Sequence, residues 1–412
     1  MGNRPLEGIR VVEMATFIAA PCTARFLADL GAEVIKVEPP MGDPLRYTAV
    51  NEGRPLDQKE NTSYDLENAG KTCISLNTKS EEGREALEKL LATADVFICN
   101  WRQSPLKRAG LDWETLHEKY PNLVYGYVSG YGEKGPDKDL PGFDFTAFYA
   151  RGGILGPLRD KNSLPMLTVQ GFGDHQVAMN LAAGVLAALF KAKMTGEGDH
   201  VVVSLFHSAI WDISLMLQAS QYGADSTQYP MERWKLGNPL VLCYETADGQ
   251  WLQIAMPQYD RHYPILMNAM GYPELADDAR YYPQKNLIPN REEFSAWITA
   301  EFKKKTCDEW CKLLDANDLP YAIAQEWDSL LEDKQAWESD CFYEMSYSNG
   351  NKRTLVRPPV LFDQMGLPPY ERGPYLGEQT KDILGELGYS AEAIDELIKS
   401  GAAIDMDPAL RD

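Results

Sequence analysis

The residues best suited to chemistry lie together in a short glycine-rich stretch near the middle of the chain. This stretch reads Gly171-Phe172-Gly173-Asp174, and an Ala- and Leu-rich run follows it as far as Met194. Glycines at these two positions allow the backbone to turn tightly and to approach a ligand closely. The run after them favours a helix that ends before a second pair of glycines. Asp174 is therefore predicted to stand at the start of a buried helix.

An aspartate in this position has two interpretations. It is a favoured N-cap residue, and its negative charge suits the positive end of the helix dipole. Alternatively, a carboxylate held rigidly beside glycines is a nucleophile. With an ordinary pKa of about 3.9 it is ionised at neutral pH, so it needs no base to attack a substrate. The residues around Asp174 leave both interpretations open.

Composition limits the class of protein. The 412 residues suggest two domains, and the formal net charge of −21 disfavours nucleic acid and anionic membranes as partners. We find neither a signal peptide nor a run of about eighteen apolar residues, so we expect a cytoplasmic protein with no membrane association. The seven cysteines show no paired spacing typical of a metal site, and Cys307 and Cys311 are expected to pack in a helix. No metal is predicted.

Strand-like and helix-like segments alternate through the first half of the chain. A β-branched run at 9–14, a helix at 21–30 and a strand at 33–37 form a βαβ opening. Residues 39–71 are polar and rich in Gly, Pro and Asn, and they predict a long surface excursion without regular elements. The pattern predicts an α/β fold whose large, Rossmann-like domain has a mostly parallel sheet. The further strands are expected at 73–76, 95–99, 123–128 and 200–204, and the helices at 80–94, 113–119 and 205–221.

A second region has a different pattern. Residues 226–238 are predicted to be a linker, and Asp248-Gly249 between two extended runs predicts a hairpin. Helices are expected at 260–270, 291–304, 307–317 and 390–398. We therefore divide the chain into a large domain (1–225), a smaller α+β domain (226–330) and a C-terminal segment (331–412) that returns to the large domain.

Several motifs resemble the class III CoA-transferases along nearly the whole chain. The first is Asp174 followed by the LAAL helix and TGEG at 195–198. The others are GIRVVEMATFIAAPCTARFLADLGAEVIKVE at 8–38, GDPLR at 42–46, ADVFICNWR at 94–102 and SGYGEKGP at 129–136. The stretches RYTAVNEGRPL, TSYDLENA and GDHQ are most similar to the branch that moves CoA between 2-hydroxy acids and acyl or enoyl thioesters in amino-acid fermentation.

This resemblance implies an interlaced homodimer and a catalytic role for Asp174. The carboxylate would form an anhydride with the acyl group and then a thioester with CoA. The acceptor would be a 2-hydroxy acid such as (R)-2-hydroxyisocaproate or (R)-phenyllactate. No cofactor would be bound permanently, because the coenzyme A thioester is itself a substrate.

The resemblance and the residue types together suggest contacts for coenzyme A. The turn at Thr16, Phe17 and Ile18 would lie against CoA, although its residues also suit a plain strand-to-helix turn. Basic side chains bind phosphates and Trp packs on adenine, but lone basic residues are more often solvated surface charges. The candidates are Lys36, Arg46, Lys71, Lys79, Asn100, Trp101, Arg102 and Arg108.

Four residues are candidates for the acid substrate. Asp144 is either a substrate contact or a turn and helix cap after Pro141-Gly142. His175 and Gln176 follow the nucleophile, and a structural role is favoured for His175, because neighbours in a helix rarely face one pocket. Phe143 is the fourth candidate. Together with Phe145, Phe148 and Tyr149 it would exclude water, because only Gly237-Asn238-Pro239 remains of the glycine-rich loop found in some members.

Two other functions compete with transfer. Related acyl-CoA racemases place a histidine base where this chain has Phe143, and removal of an α-proton requires such a base. A racemase or isomerase is therefore the less favoured alternative. A non-catalytic CoA-binding protein would bind CoA tightly without turnover.

Overall fold

The computed structural model describes residues 4–222, 229–230, 232–368 and 371–411. The chain divides into two units. The first contains residues 1–154, 167–214 and 334–412, and the second contains residues 155–166 and 215–333. Sequence analysis set the boundaries at 225 and 330 and assigned 155–166 to the large domain. Part of the predicted linker at 226–238 lies outside the described residues.

The strands and helices are numbered in chain order. The strands are β1 (Arg10–Met14), β2 (Glu33–Glu38), β3 (Thr72–Leu76), β4 (Val96–Cys99), β5 (Val124–Ser129), β6 (His200–Ser204), β7 (Cys243–Glu245), β8 (Trp251–Ile254), β9 (Tyr321–Ile323), β10 (Phe342–Ser346), β11 (Lys352–Val356) and β12 (Ala403–Ile404). The first eight helices are α1 (Ala19–Asp29), α2 (Thr62–Asn68), α3 (Glu81–Leu91), α4 (Gln103–Ala109), α5 (Trp113–Lys119), α6 (Phe172–Thr195), α7 (Leu205–Asp212) and α8 (Ser214–Ala219). The others are α9 (Tyr259–Met270), α10 (Gln284–Leu287), α11 (Arg291–Phe302), α12 (Cys307–Asp315), α13 (Trp327–Leu331), α14 (Lys334–Glu338), α15 (Thr380–Glu386) and α16 (Ala391–Ser400).

The first unit is built on a seven-stranded sheet in the order β12-β3-β2-β1-β4-β5-β6. Its strands are parallel except the short β12, which pairs antiparallel with β3. Runs such as VVEM in β1 and VFIC in β4 are buried along most of their length, as expected where helices cover both faces of a parallel sheet. The predicted α/β fold with a mostly parallel sheet is confirmed.

The region at 39–71 contains regular structure that the sequence analysis missed. Helix α2 begins after Asn61, whose side chain accepts a hydrogen bond from the Tyr64 N–H group, and Asp65 and Glu67 in this helix are buried. A polar helix inside the protein lacks the apolar periodicity on which the prediction relied. Another correction concerns 205–221, where α7 and α8 stand in place of one long helix.

The second unit combines a small antiparallel sheet, in the order β7-β8-β9, with helices. The turn between β7 and β8 contains Gly249 at φ +79°, which confirms the predicted hairpin. Cys307 is buried in α12, and all seven cysteines of the chain are free thiols. Helices α9, α11 and α12 match their predicted positions to within two residues.

Helix α6 is the longest helix and carries Asp174 near its first turn. Its buried side includes Val177, Leu181 and Val185, and the Val185 side chain lies close to Gly126 of β5. By length and composition α6 is apolar enough to cross a membrane, which the sequence analysis did not recognise. The core helix of a soluble protein has the same properties.

Candidate active site

Helix α6 starts in a tight turn that the two glycines make possible. Gly171 has φ +83°, a conformation that L side chains rarely adopt. A Cβ atom on Gly173 would lie 2.3 Å from Cγ of Phe148 and 2.4 Å from Oδ1 of Asp144. The tight turn is therefore as predicted, and the close approach at Gly173 brings together α6 and the π-helical turn Asp144–Ala150.

Asp174 lines a cavity of about 290 Å³ within the first unit. The cavity lies beyond the carboxyl ends of β1, β4 and β5, where ligands bind in open α/β sheets. Predicted site residues that line it are Thr16, Phe17, Ile18, Asn100, Arg102, Phe143, Asp144 and Asp174. The structure thus gathers eight of the predicted residues at one site.

The turn that follows β1 is held by two polar side chains. Asn100 donates from Nδ2 to the Thr16 carbonyl (2.8 Å) and accepts from the Thr16 N–H group (3.2 Å). The Phe17 N–H group donates to Oδ1 of Asp43 (3.0 Å), and Phe17 has φ +63°. A non-glycine residue in this region needs support from its surroundings, and these contacts supply it. Asn100 uses its amide to position the turn, whereas the sequence analysis assigned it to coenzyme A.

Three of the basic residues assigned to coenzyme A have a different role. Lys36 is fully buried between Glu13 (2.7 Å) and Asp43 (3.0 Å), and Lys71 is bonded to Glu13 at 2.6 Å. The guanidinium group of Arg46 is paired with Glu38 at 2.7 Å. These cations already have carboxylate partners inside the protein, so their assignment to CoA phosphates was wrong. The Glu13 network hereafter denotes Glu13, Lys36, Glu38, Asp43, Arg46 and Lys71.

Five other predicted contacts lie outside the cavity lining. Trp101 packs against the hydrophobic core, the exposed Arg108 donates to Oγ of Ser104 (2.6 Å), and Lys79 is exposed. The amide of Gln176 interacts with the carboxylate of Asp212, and His175 binds Glu67. The structure does not bring these side chains to the cavity with Asp174.

Cations at the cavity come from two exposed residues. Arg102 was predicted, and Lys138, in the segment DKDLPG, was missed. Lys138 belongs to a polar loop, and the sequence around it does not distinguish it from an ordinary surface lysine. The feature that could have identified it is its position shortly before Pro141-Gly142, the turn that leads to Asp144.

A buried carboxylate, Asp144, and a half-buried one, Asp174, face the cavity without full compensation of their charges. Burial raises the pKa of Asp174 to about 7, and the negative charges of Asp144 and Glu67 add to this rise. Burial also raises the pKa of Asp144 to about 6, although the N–H groups of Gly171 and Gly173 face it and oppose the rise. Neither Asp144 oxygen has a hydrogen-bond partner of ordinary geometry among the described residues. The sequence analysis expected a fully ionised Asp174, but desolvation makes ionisation of this group depend on pH near neutrality.

Helix α2 contributes a residue that the sequence analysis missed. Glu67 is buried, and its Oε1 lies 2.9 Å from Nε2 of His175. This contact raises the pKa of His175 against the opposing effect of burial. The atoms of Cys22, Glu67 and His175 that could bind a metal ion lie within 4.8 Å of one another. The Asp174 cluster hereafter denotes Glu67, Asp144, Asp174 and His175.

Comparison with known proteins identifies the family of this chain. The family model for CoA-transferase family III matches residues 6–380. The chain is 52% identical to a cinnamoyl-CoA:phenyllactate CoA-transferase of Clostridium sporogenes, covering 95% of this chain and 96% of the relative. It is 41% identical to an (R)-2-hydroxy-4-methylpentanoate CoA-transferase of Clostridioides difficile, with coverages of 95% and 97%.

Solved structures give the same result for the fold. A CAIB/BAIF family protein from Brucella suis superposes with a TM-score of 0.78 at 27% identity, covering 94% of this chain and 100% of that protein. The chain therefore belongs to CoA-transferase family III.

Proposed function

We propose that this CoA-transferase moves coenzyme A between an acyl- or enoyl-CoA and an apolar 2-hydroxy acid, (R)-2-hydroxyisocaproate or (R)-phenyllactate, in amino-acid fermentation. The observation that carries the proposal is the position of Asp174, a carboxylate at the wall of a cavity that opens beyond the strand ends. The two relatives named above act on acids of this class according to their names.

The proposed reaction starts with attack by a carboxylate oxygen of Asp174 on the thioester carbonyl of the donor. The C–S bond breaks, CoA leaves as a thiolate, and an aspartyl-acyl anhydride remains. The thiolate then attacks the aspartyl carbonyl, which releases the first acid and leaves an aspartyl-CoA thioester. The 2-hydroxy acid carboxylate attacks this thioester, and the same two steps in reverse regenerate Asp174.

Aromatic side chains supply an apolar wall on which the substrate packs. Phe17 and Phe143 both line the cavity, and their rings meet edge to face with centroids 6.4 Å apart. Phe148 and Tyr149 are buried and do not line the cavity, so their part in excluding water stays a prediction. Because an anhydride hydrolyses in water, a substrate side chain packed on Phe17 and Phe143 would protect it.

Coenzyme A is proposed to bind as a substrate, with no permanently bound cofactor. Arg102 and Lys138 are the cations at the cavity that are available for its phosphates. Thr16, Phe17 and Ile18 line the same cavity, which supports the proposal that this turn lies against CoA.

We also propose a cytoplasmic homodimer that binds neither nucleic acid nor membranes. Phe190 and Met194 in α6 are 72% and 73% exposed, and Trp211 in α7 is 71% exposed. Large exposed apolar side chains at both ends of α6 mark interaction surfaces, for which a second copy of the chain is the proposed partner. The net charge of −21 disfavours polyanionic partners.

The experiment that tests the function is a transfer assay with a small panel of acids. Purified protein is incubated with cinnamoyl-CoA or 4-methylpentanoyl-CoA and with each acid, and new CoA esters are separated chromatographically. We expect transfer to apolar 2-hydroxy acids and none to succinate or glutarate. A racemase or isomerase would instead exchange the α-proton for deuterium without any acceptor. A CoA-binding protein without turnover would form no new ester.

A further inference from the structure

The Asp174 cluster holds three carboxylates and one group that can be positive. Asp174 is flanked by Asp144 from the π-helical turn and by Glu67 from α2, and both raise its pKa. The opposing contribution comes from His175, the next residue in α6. Desolvation and the charges of Asp144 and Glu67 all oppose ionisation of Asp174, and the charge of His175 is the contribution that favours it.

Glu67 is placed to keep His175 charged. Its carboxylate is 2.9 Å from Nε2 of the ring and is almost completely buried, whereas the imidazole is about half exposed. A buried carboxylate favours the imidazolium form of a histidine that bonds to it. The groups facing His175 are Glu67, Asp174 and Asp144, all of which raise its pKa.

The other neighbours of Glu67 do not take over this role. Cys22 remains a neutral thiol, because burial and the charge of Glu67 raise its pKa well above the ordinary value. Lys71 also faces Glu67, but its ammonium group is bonded to Glu13 (2.6 Å), to the Pro21 carbonyl (2.8 Å) and to the Asn68 side chain (2.9 Å). His175 is therefore the cation that Glu67 holds next to the nucleophile.

We propose that His175, held as an imidazolium by Glu67, is a positioning residue that places a positive charge beside Asp174 and thereby keeps that carboxylate ionised for attack. The inference rests on the proposed function of Asp174 as the nucleophile. It assigns to the Glu67–His175 pair an electrostatic role in place of the structural role or substrate contact expected from sequence.

The activity test is the pH profile of kcat/KM for His175→Gln, Glu67→Gln and the double variant. Loss of His175 leaves the charge of Glu67 uncompensated, so the acid limb should move up by about 1 pH unit, a roughly tenfold loss at pH 6 with little change at pH 8.5. In the double variant both charges are absent, and Glu67 raises the Asp174 pKa more than His175 lowers it, so the limb should return to the wild-type position or below it. Thermal unfolding of each variant checks that the fold is retained.

Two results would overturn this role. An equal loss of activity at every pH in the single and double variants would indicate a structural contact. A stoichiometric metal in the wild-type protein that is lost in both single variants would indicate a metal site at Cys22, Glu67 and His175.

A second readout does not depend on turnover. Imidazole NMR titration is practical because the chain has only five histidines. We expect a His175 pKa above the ordinary value in the wild type and a clear fall in Glu67→Gln. An unchanged His175 pKa would overturn the inference, while a protein that shows the predicted titration but transfers CoA to no acid would count against the proposed function alone.

Discussion

The Glu13 network and the Asp174 cluster each contain three carboxylates, yet they differ in the number of cations. In the Glu13 network the partners are Lys36, Lys71 and Arg46. In the Asp174 cluster His175 is the one basic member. Carboxylates in the Glu13 network are therefore matched by an equal number of cations, whereas those in the Asp174 cluster outnumber the cations.

The pKa values of the two regions differ in the way this balance requires. The pKa of Glu13 is lowered despite complete burial, because Lys36 and Lys71 favour its charged form, and Arg46 and Lys36 help to lower the pKa of Glu38 to about 2. The pKa of Asp174 instead rises to about 7. The paired charges of the Glu13 network hold a backbone turn in place. An underpaired carboxylate at a cavity has a perturbed pKa, which is typical of a functional site.

The largest expected effect is on activity at the underpaired carboxylate. Asp174→Ala should reduce CoA transfer by about 10⁴-fold or more, the size typical of removing a catalytic nucleophile. Initial rates of transfer measure this. Asp199→Asn is the matched control, because Asp199 pairs with Lys191 near the other end of α6 and is exposed. If Asp174→Ala kept more than a tenth of the normal rate, Asp174 would not be the nucleophile, and the Asp174 cluster would not differ in function from the Glu13 network.

The next effect is on the stability of the balanced network. Glu13→Gln leaves Lys36 and Lys71 buried without their shared carboxylate, which should lower the free energy of unfolding by about 3–5 kcal/mol. Denaturant unfolding measures the loss. Glu33→Gln in the neighbouring β2 removes a half-exposed ion pair with Arg10 and should cost less than about 1 kcal/mol. Equal losses in the two variants would contradict the structural role of the network.

Removing the charge of Asp174 should instead raise the free energy of unfolding above neutral pH. The folded protein holds the Asp174 proton more tightly than the unfolded chain, so the contribution of this group to the free energy of unfolding falls as pH rises from about 4 to about 7. Asp174→Asn should therefore be more stable than the wild type at pH 8, by about 1 kcal/mol or more, and should lose this advantage at pH 4. Destabilisation at pH 8 would show that Asp174 is adequately paired.

The sequence predicted the sheet and the main turns well, but it predicted the ion-pair partners of the charged side chains poorly. The β-branched runs of β1, β2 and β4 mark a parallel sheet, and Gly171 and Gly173 mark the turn before α6. Lys36 and Lys71 have the side chains of phosphate ligands. Only the fold places Glu13 between them, because Glu13 is 23 residues from Lys36 and 58 residues from Lys71.

The same limit explains why Glu67 was missed. It lies in a polar segment that has no apolar periodicity, and its partner His175 is 108 residues further along the chain. A carboxylate that is buried for electrostatic reasons looks like a surface residue in a single sequence. By contrast, Asp174 directly follows a turn with characteristic glycines, and the resemblance to the CoA-transferases pointed to Asp144.

The smallest predicted effect concerns the apolar wall of the cavity. Phe143→Leu removes the ring that meets Phe17 edge to face, and such aromatic contacts contribute about 0.5–1.5 kcal/mol beyond area burial. We expect the ratio of kcat/KM for phenyllactate to that for 2-hydroxyisocaproate to fall by about 2- to 10-fold. Phe145→Leu, at an exposed ring outside the cavity lining, is the control. A ratio that changes equally in both variants would remove Phe143 from the substrate site.

The central claim is that Asp174 holds first the acyl group and then CoA. Its most direct test is to add acyl-CoA to the protein without an acceptor, to quench with hydroxylamine and to locate the modified residue by peptide mass spectrometry. The account predicts an aspartyl hydroxamate at Asp174 that depends on acyl-CoA. Modification of a different residue, or no modification in protein that still transfers CoA, would contradict it.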